Sequence, residues 1–455
     1  MVNSKKMKPI CIPVFFLSFL FSFSGLAADN AKVMGAGSCS ASSCHGGTGE
    51  EDGQFTRWSI QDKHSKAYDV LFSKKSVKMA KILGLKAPHE DEFCLKCHAT
   101  LVSGDERGPK FDWHDGVGCE SCHGAAQKWL EPHTREGQTH AQNVALGLVD
   151  NNKLSTRAET CIACHTGLSH REYGAGHPEL TFELDTFSAL MPRHWKSTQR
   201  WEGAQSWFLG QAALLEKGLV HVAEKTKKEG RVDEADMTCV TCHHNLFDVD
   251  YDLPETSHGL PAWQSGHADV ILPFLEVVMP QPTDKLKESL DKLKALFEAQ
   301  KGDAEKISSQ ASHALAILKN MQVHFTDIAW NASLVQRGMT QVVARRLDDP
   351  NLRFRTAEQT TMALDALSLS MSEITKKAPI LKAEIKKMYE VLNVTDPARF
   401  ARTPYNQVLS SVAAKLKAQP LPQADPVDAT EPQEISEKTQ SKPAFFDRIR
   451  QWFKK

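Results

Sequence analysis

Residues 116–124 read GVGCESCHG, and the five letters CESCH, Cys119 to His123, decide how the chain is read. Two thiols stand one helical turn apart, and an imidazole follows the second directly. The same ending recurs in CLKCH (Cys94, Cys97, His98), CIACH (Cys161, Cys164, His165) and CVTCH (Cys239, Cys242, His243). A fifth copy is stretched: in GSCSASSCHGG, residues 37–47, four residues separate Cys39 from Cys44, and His45 follows. C-x-x-C-H is the attachment pattern of c-type haem. Each thiol can add to one vinyl group of a porphyrin edge, and the histidine then lies under the iron as an axial ligand. The longer spacer can loop out and still present both sulfurs. The expectation is five covalently attached haem c groups with His45, His98, His123, His165 and His243 as proximal ligands.

Zinc ribbons also use paired C-x-x-C, but zinc requires no histidine directly after each pair. Disulfides between such close cysteines are usually redox-active, and five in one chain would be odd. Of eleven cysteines, Cys11 lies in the N-terminal apolar segment and the other ten are used up by the five sites. That segment begins with Lys5, Lys6 and Lys8, continues as ICIPVFFLSFLFSFSGL and reaches small residues at Ala27 and Ala28. It reads as a signal peptide over 1–27, which puts the working chain in the periplasm. The formal net charge is −1, three positive charges of which sit in the basic start. The remainder is mildly acidic, which excludes a nucleic-acid footprint.

Nineteen histidines leave many beyond the five proximal ones. A low-spin electron-transfer haem takes a second strong ligand, usually histidine or methionine, whereas an open sixth position permits substrate chemistry. Candidate distal ligands are His64, after Trp58 in RWSIQDKHSKAY, and His133, near Trp129 in AAQKWLEPHTREG. His170 and His177 follow the fourth site, and His194 stands in LMPRHW, with His258 or His267 as further candidates. His313 and His324 lie in a helical region without a haem site and read as surface or packing residues.

WSIQDKHSKAY, CLKCH, GVGCESCHGAAQKWLEPH and ETCIACH follow one another in the motif order of the cytochrome c-554 family, which the chain resembles over roughly residues 37–270. AGHPELTFELDTFSALMPRHW and CVTCHHNL look like a larger pentahaem branch. The resemblance implies periplasmic electron transfer through closely stacked, mostly bis-histidine haems, with His64 and His133 as distal ligands. The chain departs from the tetrahaem type in the spacer of its first site, its fifth site and a long haem-free C-terminal part. These departures leave open which redox partner it serves and whether one haem is five-coordinate.

The expected fold is mainly α. Residues 28–280 form a pentahaem cytochrome c domain with little regular structure, in which 77–85 and the stretch AQSWFLGQAALLEKGLVHVAEKTKK are the visible helices. Residues 281–418 form an α-helical domain, as a bundle or as long helices. Leu286, Leu290, Leu293 and Phe297 share one helix face, and Ile307, Ala311, Ala314, Leu318, Met321, Phe325 and Ile328 share another. Helices over Ala357–Ile374 and Ile380–Leu392 follow. This domain reads as scaffolding, with a homodimer contact as the alternative. A disordered Pro-rich acidic linker occupies 419–443. AFFDRIRQWFKK, 444–455, is an amphipathic basic-aromatic helix suited to an anionic membrane surface or to a protein partner. The functional expectation is electron transfer between periplasmic or membrane redox proteins. The alternative is a multihaem oxidoreductase acting at one five-coordinate haem on a small nitrogen or sulfur species, such as hydroxylamine, nitrite or nitric oxide.

Overall fold

The computed structural model describes residues 31–197, 199–239, 262–299, 303–347, 349–350, 352–394 and 397–422. The signal peptide, Cys242, His243, His258, the linker beyond Pro422 and the 444–455 segment lie outside the described residues. Within them the regular structure is helical; no strand forms, and the two isolated bridges join Val33 to Arg107 and Met237 to Trp263. The fold is mainly α.

The first part of the chain uses short helices: α1 (Gln54–Gln61), α2 (Lys74–Leu83), α3 (Glu92–His98), α4 (Cys119–His123), α5 (His140–Ala145), α6 (Leu154–Ile162), α7 (His170–Gly174) and α8 (Leu184–Leu190). Their ends are set by local chemistry. Helix α2 begins three residues earlier than its apolar pattern suggests, because the Ser73 side chain accepts the Ser76 N–H. It ends at Leu83 because Gly84 turns left-handed at φ 73°. The apolar clusters here are small. One gathers Tyr68, Leu71, Leu95 and Ala99, and another gathers Ala158, Ile162, Phe182, Leu184, Ala213 and Leu214.

The helical body begins with α9 (Glu202–Glu229), whose 28 residues span about 42 Å at 1.5 Å per residue. It continues with α10 (Gly266–Val278), α11 (Pro280–Glu298), α12 (Ala304–Gln322), α13 (Ala332–Arg346), α14 (Phe354–Thr375), α15 (Lys382–Val391) and α16 (Arg402–Ala418). One apolar cluster runs from Trp201 to Leu416, so its core draws on both sides of residue 281. The expected faces of α11 and α12 are buried. Helix α12 stops at Gln322, however, and Phe325 reaches the core from a separate 3-10 turn, Phe325–Asp327. Helix α14 is buried nearly all round, including Thr356, Gln359, Thr360 and Thr361, as a central helix must be.

Helix α9 serves two cores at once. Ala213 and Leu214 pack with α6 and α8, while Trp207, Phe208, Leu215 and Leu219 pack into the helical body. Gly210 allows α8 to close on α9, since a Cβ there would sit 2.7 Å from the Leu184 Cβ. The Arg157–Glu202 ion pair (2.9 Å) ties α6 to the start of α9. Arg355 on α14 reaches Glu179, Glu358 and Thr181, joining the body to the segment that follows His177.

Candidate haem sites

The attachment cysteines sit in three backbone settings. In the second and third sites C-x-x-C-H is itself a helical turn, α3 and α4, so both thiols leave the same side. In the fourth, α6 ends at Ile162 and a tighter turn follows, with His165 N–H bonded to the Cys161 carbonyl at 3.0 Å. In the first, Cys44 N–H bonds the Ala41 carbonyl at 2.9 Å, so the longer spacer is taken up as a turn. No described cysteine forms a disulfide. No group of three or more His, Cys, Asp or Glu side chains among the described residues converges as a metal-ion cage would require. Cys239 is exposed, and its partners Cys242 and His243 lie outside the described residues.

Each described attachment histidine faces a second histidine. His45 pairs with His133, with ring centres 6.3 Å apart and planes 7° from parallel. His98 pairs with His177 and His123 with His194, each at 6.4 Å and 64°. His165 pairs with His64 at 6.0 Å and 90°. Two imidazoles bound on opposite sides of one metal at ordinary metal–nitrogen distances of about 2 Å hold their ring centres about 6 Å apart. The four pairs match that separation, and each includes the histidine that directly follows a pair of cysteines. A groove of about 2700 Å³ runs past the second, third and fourth sites, lined among others by Cys97, His98, Cys122, Cys164, His165 and His177. The residues present therefore fit c-type haem. The family model for cytochrome c554 and c-prime matches residues 38–124.

Over residues 38–124 the chain is similar to the cytochrome c554 and c-prime family.

No curated protein and no solved structure matches the chain. The cytochrome c554 segment holds the first three attachment sites and His64. The match supports a c-type cytochrome in electron transfer and haem c as its group. Its glycines have a structural reason. Gly116 adopts φ 60°, and a Cβ there would lie 2.6 Å from the His64 carbonyl. That carbonyl accepts the Val117 N–H (3.0 Å), and the Trp58 indole donates to the Val117 carbonyl (3.2 Å). The third site's loop is thereby fastened against the His64 turn.

Contacts between thiols relate the sites of this cytochrome to one another. The Cys39 thiol lies near that of Cys119, and the Cys97 thiol near that of Cys164. Cys122 and Cys161 lie close enough for their charges to interact. The attachment points thus form one chain in the order first, third, fourth, second. Burial pushes the Cys122 thiol up to about 12 and the Cys161 thiol up to about 11. It pushes His123 and His165 down to about 4, so both imidazoles are neutral and able to ligate. His165 is further enclosed by Phe182 (5.0 Å) and Phe187 (5.4 Å).

His170 lies on α7, exposed, and its backbone N–H donates to Asp233 Oδ1 at 2.9 Å, beside the strand of chain that leads to Cys239. His267 is half-buried in the helical body with Nδ1 2.8 Å from Gln211 Oε1. His313 and His324 are exposed. Two residues went unread in the sequence. Glu120, inside the CESCH turn, is buried and accepts the backbone N–H groups of Met34 (2.8 Å), Gly35 (2.8 Å) and Ala126 (2.7 Å). Asp62, two residues before His64, accepts from its ring. A D-x-H spacing next to a ligand is the signal that would have found Asp62. Nothing about Glu120 distinguishes it from a variable spacer residue.

Proposed function

We propose that the protein is a periplasmic multihaem c-type cytochrome that carries electrons along five covalently bound haems. The observation that carries this reading is the set of four histidine pairs at 6.0–6.4 Å, each beside an attachment motif. A c-type haem supplies reversible one-electron chemistry when bound. The thiols would anchor the group, the attachment histidines would hold it from one side, and His133, His177, His194 and His64 from the other. With an imidazole nitrogen on each side, these residues would keep ligand movement small and leave no open position for substrate at those four sites. His170, beside the segment entering the fifth site, is the distal ligand proposed there.

The electron donor and acceptor are proposed to be periplasmic or membrane redox proteins. The exposed lysines Lys63, Lys66, Lys74, Lys75, Lys78 and Lys81 support a docking face over α2, where Val77 and Ile82 are also exposed. The 444–455 segment is proposed as a peripheral membrane contact, and a second copy of the chain as a partner of the helical body. No described helix is long and apolar enough to cross a membrane.

The test is haem quantification per chain with optical and EPR spectra of the oxidised protein. Five low-spin haems are expected, and replacing His64, His133, His177 or His194 by alanine should turn one of them high-spin. A native high-spin haem that binds nitric oxide or hydroxylamine would move the assignment to the oxidoreductase.

A further inference from the structure

The distal histidines differ in what holds their second ring nitrogen. Nδ1 of His133, His177 and His194 faces the backbone carbonyls of Trp129 (3.3 Å), Pro178 (2.8 Å) and Pro192 (3.3 Å). Among attachment histidines, Nδ1 of His98 faces the Ala67 carbonyl (3.0 Å) and that of His45 faces the Gln54 side-chain oxygen (3.1 Å). All of these acceptors are neutral. His64 alone among these ligands faces a carboxylate: its Nδ1 lies 2.9 Å from Asp62 Oδ1, which also accepts the His64 backbone N–H at 3.0 Å.

Asp62 is built into the fold. It is 5 % exposed, and its second oxygen, Oδ2, is buried without a hydrogen-bond partner. Its position is fixed from both sides, by its own N–H on the Trp58 carbonyl (3.1 Å) and by Ser65 Oγ on its carbonyl (2.8 Å). Its charge also acts on Cys122 and His194 of the third site. An unpaired oxygen in a dry site is costly, and a surface acid would have held the ring as firmly without that cost.

We propose that Asp62 is a positioning residue that lowers the reduction potential of the fourth haem through His64. Two effects act with the same sign. Accepting the Nδ1–H raises the basicity of the opposite ring nitrogen and strengthens its donation to a metal. A fixed negative charge in a poorly solvated site favours the more positively charged, oxidised state. The fourth site lies between the third and the second in the chain of thiols. A lowered potential there divides the electron path into two halves that can fill separately.

The inference rests on the bis-histidine reading, and the experiment keeps the two apart. In the full-length holoprotein, Asp62→Asn keeps the shape and an acceptor for the ring while removing the charge. Its haem content and low-spin spectrum should be unchanged. In a spectroelectrochemical titration one haem's midpoint should rise by about 59 mV or more, a tenfold change in its redox equilibrium, and the third site's should rise less. Asp62→Glu, which keeps the charge, should stay nearer the native value, and Asp62→Ser replaces the asparagine variant if that one does not load haem. A fully loaded, low-spin Asp62→Asn or Asp62→Ser protein with unchanged midpoints overturns the role of Asp62. If His64→Ala leaves every haem low-spin, the bis-histidine reading itself fails at this site.

Discussion

Glu120 shows how much one residue inside an attachment motif can carry. Its two oxygens gather three backbone N–H groups, two from the distant stretch 34–35 and one from nearby Ala126. Hydrogen bonds to a charged group contribute about 1.5–3 kcal/mol each, and stranding buried donors costs more than the bonds return. Glu120→Ala should therefore lower the unfolding free energy of the holoprotein by about 3 kcal/mol or more, read from denaturant midpoints. A change below about 1 kcal/mol would mean that the N-terminal stretch is held by other contacts. At this scale the sequence was legible where chemistry demands a fixed spacing: cysteine, cysteine, histidine. The His64 and His133 contexts were legible through the tryptophans beside them. Asp62 and Glu120 were not, because a carboxylate that accepts backbone N–H groups needs no particular spacing and is recognised only when its partners are seen.

The elements add a second layer of control. Helix α8 begins at Glu183, whose oxygens accept the Asp185 and Thr186 N–H groups, both at 2.8 Å. The residue is fully buried, and burial, with the nearby Asp185 charge, pushes its carboxyl up to about 8. The folded state thus holds a proton that the unfolded chain releases at lower pH. The associated stability is fully present below the unfolded carboxylate range near 4.5 and is lost as pH rises through about 8. Thermal unfolding measured from pH 5 to pH 9 should show this decline, and Glu183→Gln should flatten it. An unchanged slope in the variant would place the pH dependence elsewhere. Helices α11 and α12 were legible from their apolar spacing. Helix α10 holds Pro273 within it, buried with Ile271 and Phe274 inside the body. Helices α13 and α16 pack into the same core, through Val335, Met339 and Val343 and through Tyr405, Leu409 and Val412.

Across the whole molecule the four histidine pairs differ in geometry, and the difference is measurable. The tilt between two axial imidazole planes sets how far the metal's dπ orbitals split: parallel planes split them most, and perpendicular planes leave them nearly degenerate. The His45–His133 pair, at 7°, should give an ordinary rhombic low-spin EPR signal. The His64–His165 pair, at 90°, should give a strongly anisotropic one with a single large low-field feature. His64→Ala should delete the second signal and leave the first, and loss of the rhombic signal instead would reverse the assignment.

The two-sided packing of α9 also bears on how such a chain is made. Its inner side belongs to a continuous apolar core that needs no prosthetic group, while the stretch before it has only small clusters of its own. The helical body can mature first and hold α9 ready as a template on which the N-terminal half settles as each group is attached. Incompletely loaded molecules would then be ordered at one end and open at the other. Brief digestion of a chain carrying Cys→Ser at both cysteines of the third site should cut within 31–197 and spare a fragment beginning near residue 200. Protease sensitivity would in that way act as a gauge of cofactor loading, separating finished molecules from unfinished ones before they meet a partner.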